Sequence, residues 1–207
     1  MKQGSTIEEK KIRILGAASR VFARKGFAGT RIAEVAVEAG IGKGTVYEYF
    51  DSKEVLFFDV FQWFFERNNS SLKVGINALR GTAADRLMVM NDSIITAWMD
   101  EMDSFALVME FWSASSSSTL RKRFKLAFKA AYDAIRELVA ALIREGIDTG
   151  EFRADSNPDS IAASLVGTWD ALLLQKWFGS VEDPLAYSRD FLAVIIRGLS
   201  KTGEITQ

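Results

Sequence analysis

Apolar residues recur along this chain at three- and four-residue intervals, and no stretch alternates with the period of two that a half-buried strand requires. The first run predicts a helix over residues 6–25, with Ile12, Leu15, Ala18 and Phe22 on one face, a Thr6–Glu9 capping box at its start and Gly26 as its C-cap. Short helices are predicted over 32–39 and 43–49, then a longer one from Ser52 to about residue 74, with Asp51 as N-cap and Glu54 as its box partner. Gly75 and Gly81 mark a break. Further helices follow over 83–99, 103–113 and 119–144, with 115–118 as a polar joint and Gly146 and Gly150 closing the last. The only prolines, Pro158 and Pro184, each open a helix. The first of these runs to about Phe178 and the second buries Phe191, Leu192, Ile195 and Leu199, leaving 201–207 as a frayed tail. The fold class is all-α, with about nine helices.

Residues 40–56, GIGKGTVYEYFDSKEVL, are the most informative stretch. Gly40 ends one short helix and Lys43 opens another three residues later, the connection of a helix-turn-helix. Ile41, Val46 and Phe50 supply its apolar side, which turns Lys43, Gly44, Thr45, Tyr47 and Tyr49 outward. A charge, a hydroxyl with its methyl, two phenols and a bare stretch of backbone suit phosphates and base edges. Lys53 falls in the first turn of the next helix, where a cation is disfavoured unless an anion compensates, and the simplest external anion is a phosphate. A solvated surface lysine is the competing reading.

The ordered set Ile14-Leu15, Ala17-Ala18, Phe22, Gly26-Phe27, Thr30, Val35-Ala36, Ala39-Gly40, Lys43-Gly44-Thr45-Val46-Tyr47, Tyr49-Phe50, Lys53-Glu54 and Leu56 resembles the tetracycline-repressor (TetR) family of one-component transcriptional regulators. The resemblance covers about the first quarter of the chain. It implies a DNA-binding domain over 1–53 and an effector-binding and dimerisation domain over 54–207. Two positions depart from the family pattern, and a third falls where the family varies. Arg31 stands where Ser or Thr is common, so the capping box with Glu34 is expected to be lost, Thr30 to cap instead and Arg31 to reach a phosphate. Gly42 replaces a common turn serine. Glu48, between the two aromatics, either accepts from a cytosine amino group or faces water. The DNA-contacting set is therefore Thr30, Arg31, Lys43, Gly44, Thr45, Tyr47, Tyr49 and Lys53.

Composition narrows the alternatives. At 207 residues and 48% apolar content the chain can bury a substantial core. It has no cysteine and no histidine, which removes disulfides, thiolate metal sites, the commonest metal ligand and the commonest general base. No metal, cofactor or enzymatic activity is expected. Residues 1–11 contain no apolar run and no later segment has the length of a membrane span, so the expectation is a soluble protein; the resemblance makes its place the bacterial cytoplasm. The net charge of −1 is unevenly spread: residues 1–53 carry +4 and residues 54–207 carry −5, a basic end set against an acidic body.

The last two helices are apolar over more than one stripe and need a cover beyond their own core. In the resembled family the last two long helices pair across a two-fold axis, and Leu165, Leu172, Phe191 and Ile195 are the expected contacts here; central core helices of a monomer are the alternative. Such a dimer presents two recognition helices to an inverted repeat. The middle of the chain is rich in aromatics and methionines, and Trp98, Phe105, Met109, Trp112 and Trp169 are the candidates for a hydrophobic effector pocket, although core packing is the ordinary reading of each alone. Asn91, Glu110, Asp170 and Gln175 are candidate polar anchors, or residues satisfied within the fold. Glu110 or Asp170 beside tryptophans suits a cationic ligand, whereas Arg121, Lys122, Arg123, Lys125 and Lys129 suit an acidic head group. The function expected is a dimeric repressor released by a small effector; a helical small-molecule-binding protein with a vestigial helix-turn-helix is the alternative.

Overall fold

The computed structural model describes residues 2–78, 80–117 and 119–201, with side chains at 7–67, 80–102, 104–116 and 119–201. Its helices are α1 (Lys2–Gly29), α2 (Ile32–Ala39), α3 (Lys43–Tyr49), α4 (Lys53–Ala78), α5 (Ala83–Asp100), α6 (Phe105–Ser117), α7 (Arg121–Asp148), α8 (Pro158–Trp177) and α9 (Pro184–Leu199), with one 3-10 turn at Met102–Ser104. Among the described residues no strand forms, and the only extended pairing is an isolated bridge between Phe152 and Ser200.

The chain divides into two compact units, Met1–Asn68 with Asp103–Phe128, and Asn69–Met102 with Lys129–Gln207. This cut by compactness differs from the boundary expected at residue 53, because α6 and the start of α7 pack with α1 and the first half of α4. In the first unit, fully buried Phe22, Phe57, Phe111 and Phe124 form the centre. Phe57 lies 4.9 Å from Phe22, 5.1 Å from Phe111 and 5.5 Å from Phe124, ring centre to ring centre, in edge or tilted contacts that suit aromatic quadrupoles. In the second unit α5 packs on α8 and α9. Thr82 caps α5 with Asp85 as its box partner, and the Glu151 carboxylate accepts from the next two free amides, Ala83 at 2.8 Å and Ala84 at 3.0 Å, so the start of α5 carries an acidic cap where its dipole favours one.

Several local expectations are corrected. Gly26 does not simply end α1; at φ 67°, ψ 169° it breaks the helix, which resumes to Gly29. Ile12 is 44% exposed although Leu15, Ala18 and Phe22 are buried, because the covered face also takes Ile14, Ala17 and Val21 and so is rotated away from position 12. Ser52, not Asp51, caps α4, its hydroxyl accepting from the Val55 amide at 3.2 Å. Gly75 lies inside α4, and the predicted joint begins inside α6, where the Ser115 and Ser116 hydroxyls bond back to the Trp112 and Ser113 carbonyls. Gly146 is internal to α7, pressed against Phe152. Thr6 as a cap and the tail after Lys201 lie outside the described side chains and residues.

Candidate nucleic-acid interface and ligand residues

The turn between α2 and α3 is built by Gly40 in the left-handed region (φ 66°, ψ 38°). The Gly40 amide donates to Val37 O and the Ile41 amide to Ala36 O, both at 3.0 Å, which closes the end of α2 as a Schellman motif. Gly42 then takes an extended conformation and opens α3. Val46 and Phe50 are buried and Lys43, Gly44, Tyr47 and Glu48 exposed, as helical spacing predicts, whereas Thr45 and Tyr49, expected outward, are half-buried. The Lys43 ammonium lies 5.8 Å above the Tyr47 ring. A Cβ added at Gly42 or Gly44 would meet nothing within 4 Å, so neither glycine is required by packing and both leave backbone open to an outside partner.

Three expected DNA contacts are placed differently. Thr30 is 2% exposed and its hydroxyl donates to Gly26 O at 2.7 Å, which takes it out of the contact set. The cap of α2 is Arg31, and half of the capping box survives: the Glu34 carboxylate accepts from the Arg31 amide at 3.0 Å, while the side chain of Arg31 stays exposed. The Lys53 ammonium needs no external phosphate, since it donates to Phe27 O at 2.8 Å and Thr30 O at 3.1 Å and lies 4.4 Å over the Phe27 ring. Other basic residues of this unit are also matched internally. Arg20 and Arg24 both bond Glu38 at 2.8 Å and Lys25 bonds Glu34 at 2.5 Å, contacts that hold both carboxyls below the usual carboxylate range. Among the described residues Arg31 is tied into no ion pair and acts on Glu34 only through the field of its charge, while Lys43 lies over the Tyr47 ring, so both can still meet an external anion.

The five pocket candidates and the acidic anchor Asp170, six residues in all, fall into both units. Phe105, Met109 and Trp112 lie on α6 in the first, Phe105 buried and the others half-buried. Trp98, Trp169 and Asp170 belong to the second. Trp169 is 4% exposed and its indole N–H donates to Asn91 Oδ1 at 2.9 Å, which makes it a core residue. Asn91 in turn donates to Ser188 Oγ at 3.0 Å. All four proposed anchors have partners within the protein: Asn91 as described, Glu110 on the Phe27 amide at 2.9 Å, Asp170 on the Tyr132 hydroxyl at 2.7 Å, and Gln175 on Ala171 O at 3.2 Å. Tyr132 and Ser188 escaped the sequence reading because a helical tyrosine or serine gives no sign of its partner. A surface recess of about 340 Å³ between α1 and α2, lined by Val21, Arg24, Lys25, Ala33, Glu34, Val37 and Glu38, contains none of the six candidates. In the basic run, Arg123 stacks on Phe58 at 4.0 Å and Lys129 pairs with Asp133, while Arg121, Lys122 and Lys125 are exposed.

Burial raises the Asp170 carboxyl above its usual range, against the opposing pull of the Tyr132 hydrogen bond, and the Tyr132 hydroxyl is raised by burial and by the Asp170 charge. A carboxyl whose folded pKa is raised favours the fold fully below its unfolded pKa, and that contribution is lost as pH rises through the folded value. Asp170→Asn keeps an acceptor for Tyr132 and removes the buried charge. The variant is expected to be more stable than the parent at neutral pH, with the difference vanishing towards acid, as read from urea midpoints between about pH 3 and about pH 7. A constant difference across that range would refute a titrating Asp170.

Of the expected dimer contacts, Leu165 is 2% exposed and faces its own unit's core, a correction that follows from its place one turn before Trp169. Leu172 and Ile195 are half-buried and Phe191 is 38% exposed. The outer surface instead presents small Ala163, Gly167 and Ala171 at four-residue spacing on α8, with Tyr187, Phe191 and Val194 exposed on α9.

Among the described residues no helix is long and apolar enough to cross a membrane. Two family models match the chain: bacterial regulatory proteins of the tetR family over residues 14–60, and the tetracyclin repressor-like C-terminal domain over residues 111–192. The uncharacterized transcriptional regulator YerO of Bacillus subtilis is 42% identical over 67 residues, 32% of this chain and 23% of that protein, so this match spans less than a quarter of its relative. The transcriptional repressor DhaR of a Mycobacterium species is 25% identical over 197 residues, 90% of each chain. The crystal structure of a TetR transcription regulator from Haloarcula marismortui superposes with a TM-score of 0.82 at 20% identity, covering 94% of this chain and all of that one. With a helix-turn-helix whose outward face is made of donors, and with matches to both halves of the same architecture, the chain belongs to the TetR family of DNA-binding transcriptional regulators.

Proposed function

We propose that this regulator is a homodimeric repressor that reads an inverted-repeat operator through α3 and is released by a small hydrophobic effector bound in the 54–207 domain. What carries the reading is the outward face of α3, where Lys43, Gly44 and Tyr47 are exposed, Thr45 and Tyr49 are half-exposed, and the glycines have no packing duty. Lys43 and Arg31 are assigned to phosphates, and Thr45, Tyr47 and Tyr49 to base edges and sugar–phosphate oxygens. The exposed apolar surface of α8 and α9 supports a two-fold partner, which would set two copies of α3 one helical turn of DNA apart. Release requires the effector to prefer the state whose recognition helices no longer fit successive major grooves, a population shift transmitted through α4. The reading places the protein in the cytoplasm and gives it no enzymatic role; the chain contains neither histidine nor cysteine.

The test is a gel shift on the DNA upstream of the protein's own coding region, with random DNA as competitor and salt varied. Lys43→Ala is expected to reduce the slope of log K against log salt by about one, and Tyr47→Ala to weaken operator binding by about 1–3 kcal/mol. Both should melt as the parent does. Loss of the fold in either variant would sink the assigned roles, and binding no tighter than to random DNA would favour a small-molecule-binding protein with a vestigial helix-turn-helix.

A further inference from the structure

We propose that Glu110 is a positioning residue for DNA binding: from α6 it holds the Phe27 amide at the break in α1 and so fixes how α2 and α3 leave that helix. The break is made by Gly26, whose dihedrals take the chain out of the helix at the peptide that joins it to Phe27. The Phe27 amide donates to Glu110 Oε2 at 2.9 Å. A Cβ built at Gly26 would lie 2.8 Å from Glu110 Oε1, so the carboxylate sits flush against the glycine backbone.

The same peptides are held from the carbonyl side by a different helix. Phe27 O and Thr30 O accept from Lys53 at the start of α4, and Gly26 O accepts from the Thr30 hydroxyl. The Phe27 ring packs 4.7 Å from Phe57, also on α4. Two helices distant in sequence thus grip one junction, α4 by its carbonyls and α6 by its amide. Ile32, the first residue of α2, follows only five positions after Phe27 and α3 follows at once, so a displaced Phe27 peptide re-aims the recognition helix. A cap needed only for local stability is ordinarily supplied from within a few residues; this one comes from 83 residues away. Because α6 also carries Met109 and Trp112, an effector that presses on them would move the carboxylate. That extension rests on the effector reading above, whereas the positioning role does not.

The experiment uses the full chain and a duplex that the wild-type protein selects from a random pool. Glu110→Ala is expected to weaken binding about tenfold, the scale of one charge-assisted hydrogen bond, with the salt slope unchanged because no phosphate contact is lost. Glu110→Gln, whose amide oxygen accepts the same bond, should restore most of the affinity. Glu110→Asp, which withdraws the acceptor by one methylene, should bind weakly while melting like the parent. Hydrogen exchange of the peptide containing Phe27 should quicken in the Ala and Asp variants and not in Gln. Wild-type affinity in Glu110→Ala with only a lower Tm would overturn the proposal alone, as would a Gln variant as weak as Ala. Failure of the wild-type protein to select any sequence would overturn it together with the DNA-binding reading.

Discussion

Alanine at Gly146 is expected to destabilise the second unit by about 3 kcal/mol or more, at the upper end of what overpacking a core costs. The added Cβ would stand 2.2 Å from Phe152 Cδ2, 2.5 Å from Cε2 and 2.9 Å from Cγ, well inside contact distance. The ring has little freedom to retreat. Phe152 is fully buried, its amide donates to Gly146 O at 2.8 Å, and it bridges to Ser200 while the next amide, Arg153, donates to Leu199 O at 2.8 Å. The end of α7 and the end of α9 are therefore tied through one aromatic residue seated on one glycine. Urea midpoints would measure the loss. Phe152→Ala alone should cost about 3–5 kcal/mol through the cavity it leaves. With the ring gone the alanine at 146 has room, so the double variant should be more stable than the two single losses predict, by more than about 1 kcal/mol. Strict additivity would show that the ring is not the obstacle.

Asn91→Ala is expected to cost about 3 kcal/mol, because the side chain is fully buried and joins three helices. Asn91 is fully buried on α5; it accepts from the Trp169 indole on α8 and donates to Ser188 on α9. Its amide also reaches Asp92 Oδ1 at 3.2 Å, and Arg189 grips Asp92 with two bonds of 2.8 Å, which holds that carboxyl below its usual range. Truncation leaves an indole N–H and a hydroxyl with one partner fewer in an apolar core. Trp169→Phe leaves the Asn91 oxygen without its donor and also takes part of the indole out of the core, and should cost about 2–3 kcal/mol. The pair Asn91→Leu with Trp169→Phe removes both partners and should recover part of the loss. A change under about 0.5 kcal/mol for Asn91→Ala would place the network on the footing of an ordinary surface substitution and defeat this account.

The helix proposed to read DNA was legible in the sequence because everything that makes it is local. Gly40 takes the left-handed turn, Val46 and Phe50 share a buried face, and the outward residues follow from helical geometry. What the sequence hid were partners from afar. Lys53 advertises a cation in a first turn, but the carbonyls it satisfies lie 23 and 26 residues earlier. Glu110 reads as a candidate ligand anchor until α6 meets the break in α1. Ile12 and Leu165 show the limit of periodicity: spacing defines a stripe, while which flank is covered depends on neighbours the stripe does not name. Gly146 was misread because a glycine that ends a helix and a glycine that admits an aromatic ring look alike in one dimension.

The two unencumbered glycines at the start of α3 set how this protein can diverge. Gly42 has ordinary extended dihedrals and Gly44 lies within the helix, with open space around both. On the proposed reading a side chain placed there would face the DNA without meeting the core, and at Gly44 a better helix former would also firm the scaffold. If α3 reads the operator as proposed, its preference can drift through these positions at little folding cost, so related regulators on the same scaffold would acquire separate targets faster than their folds change.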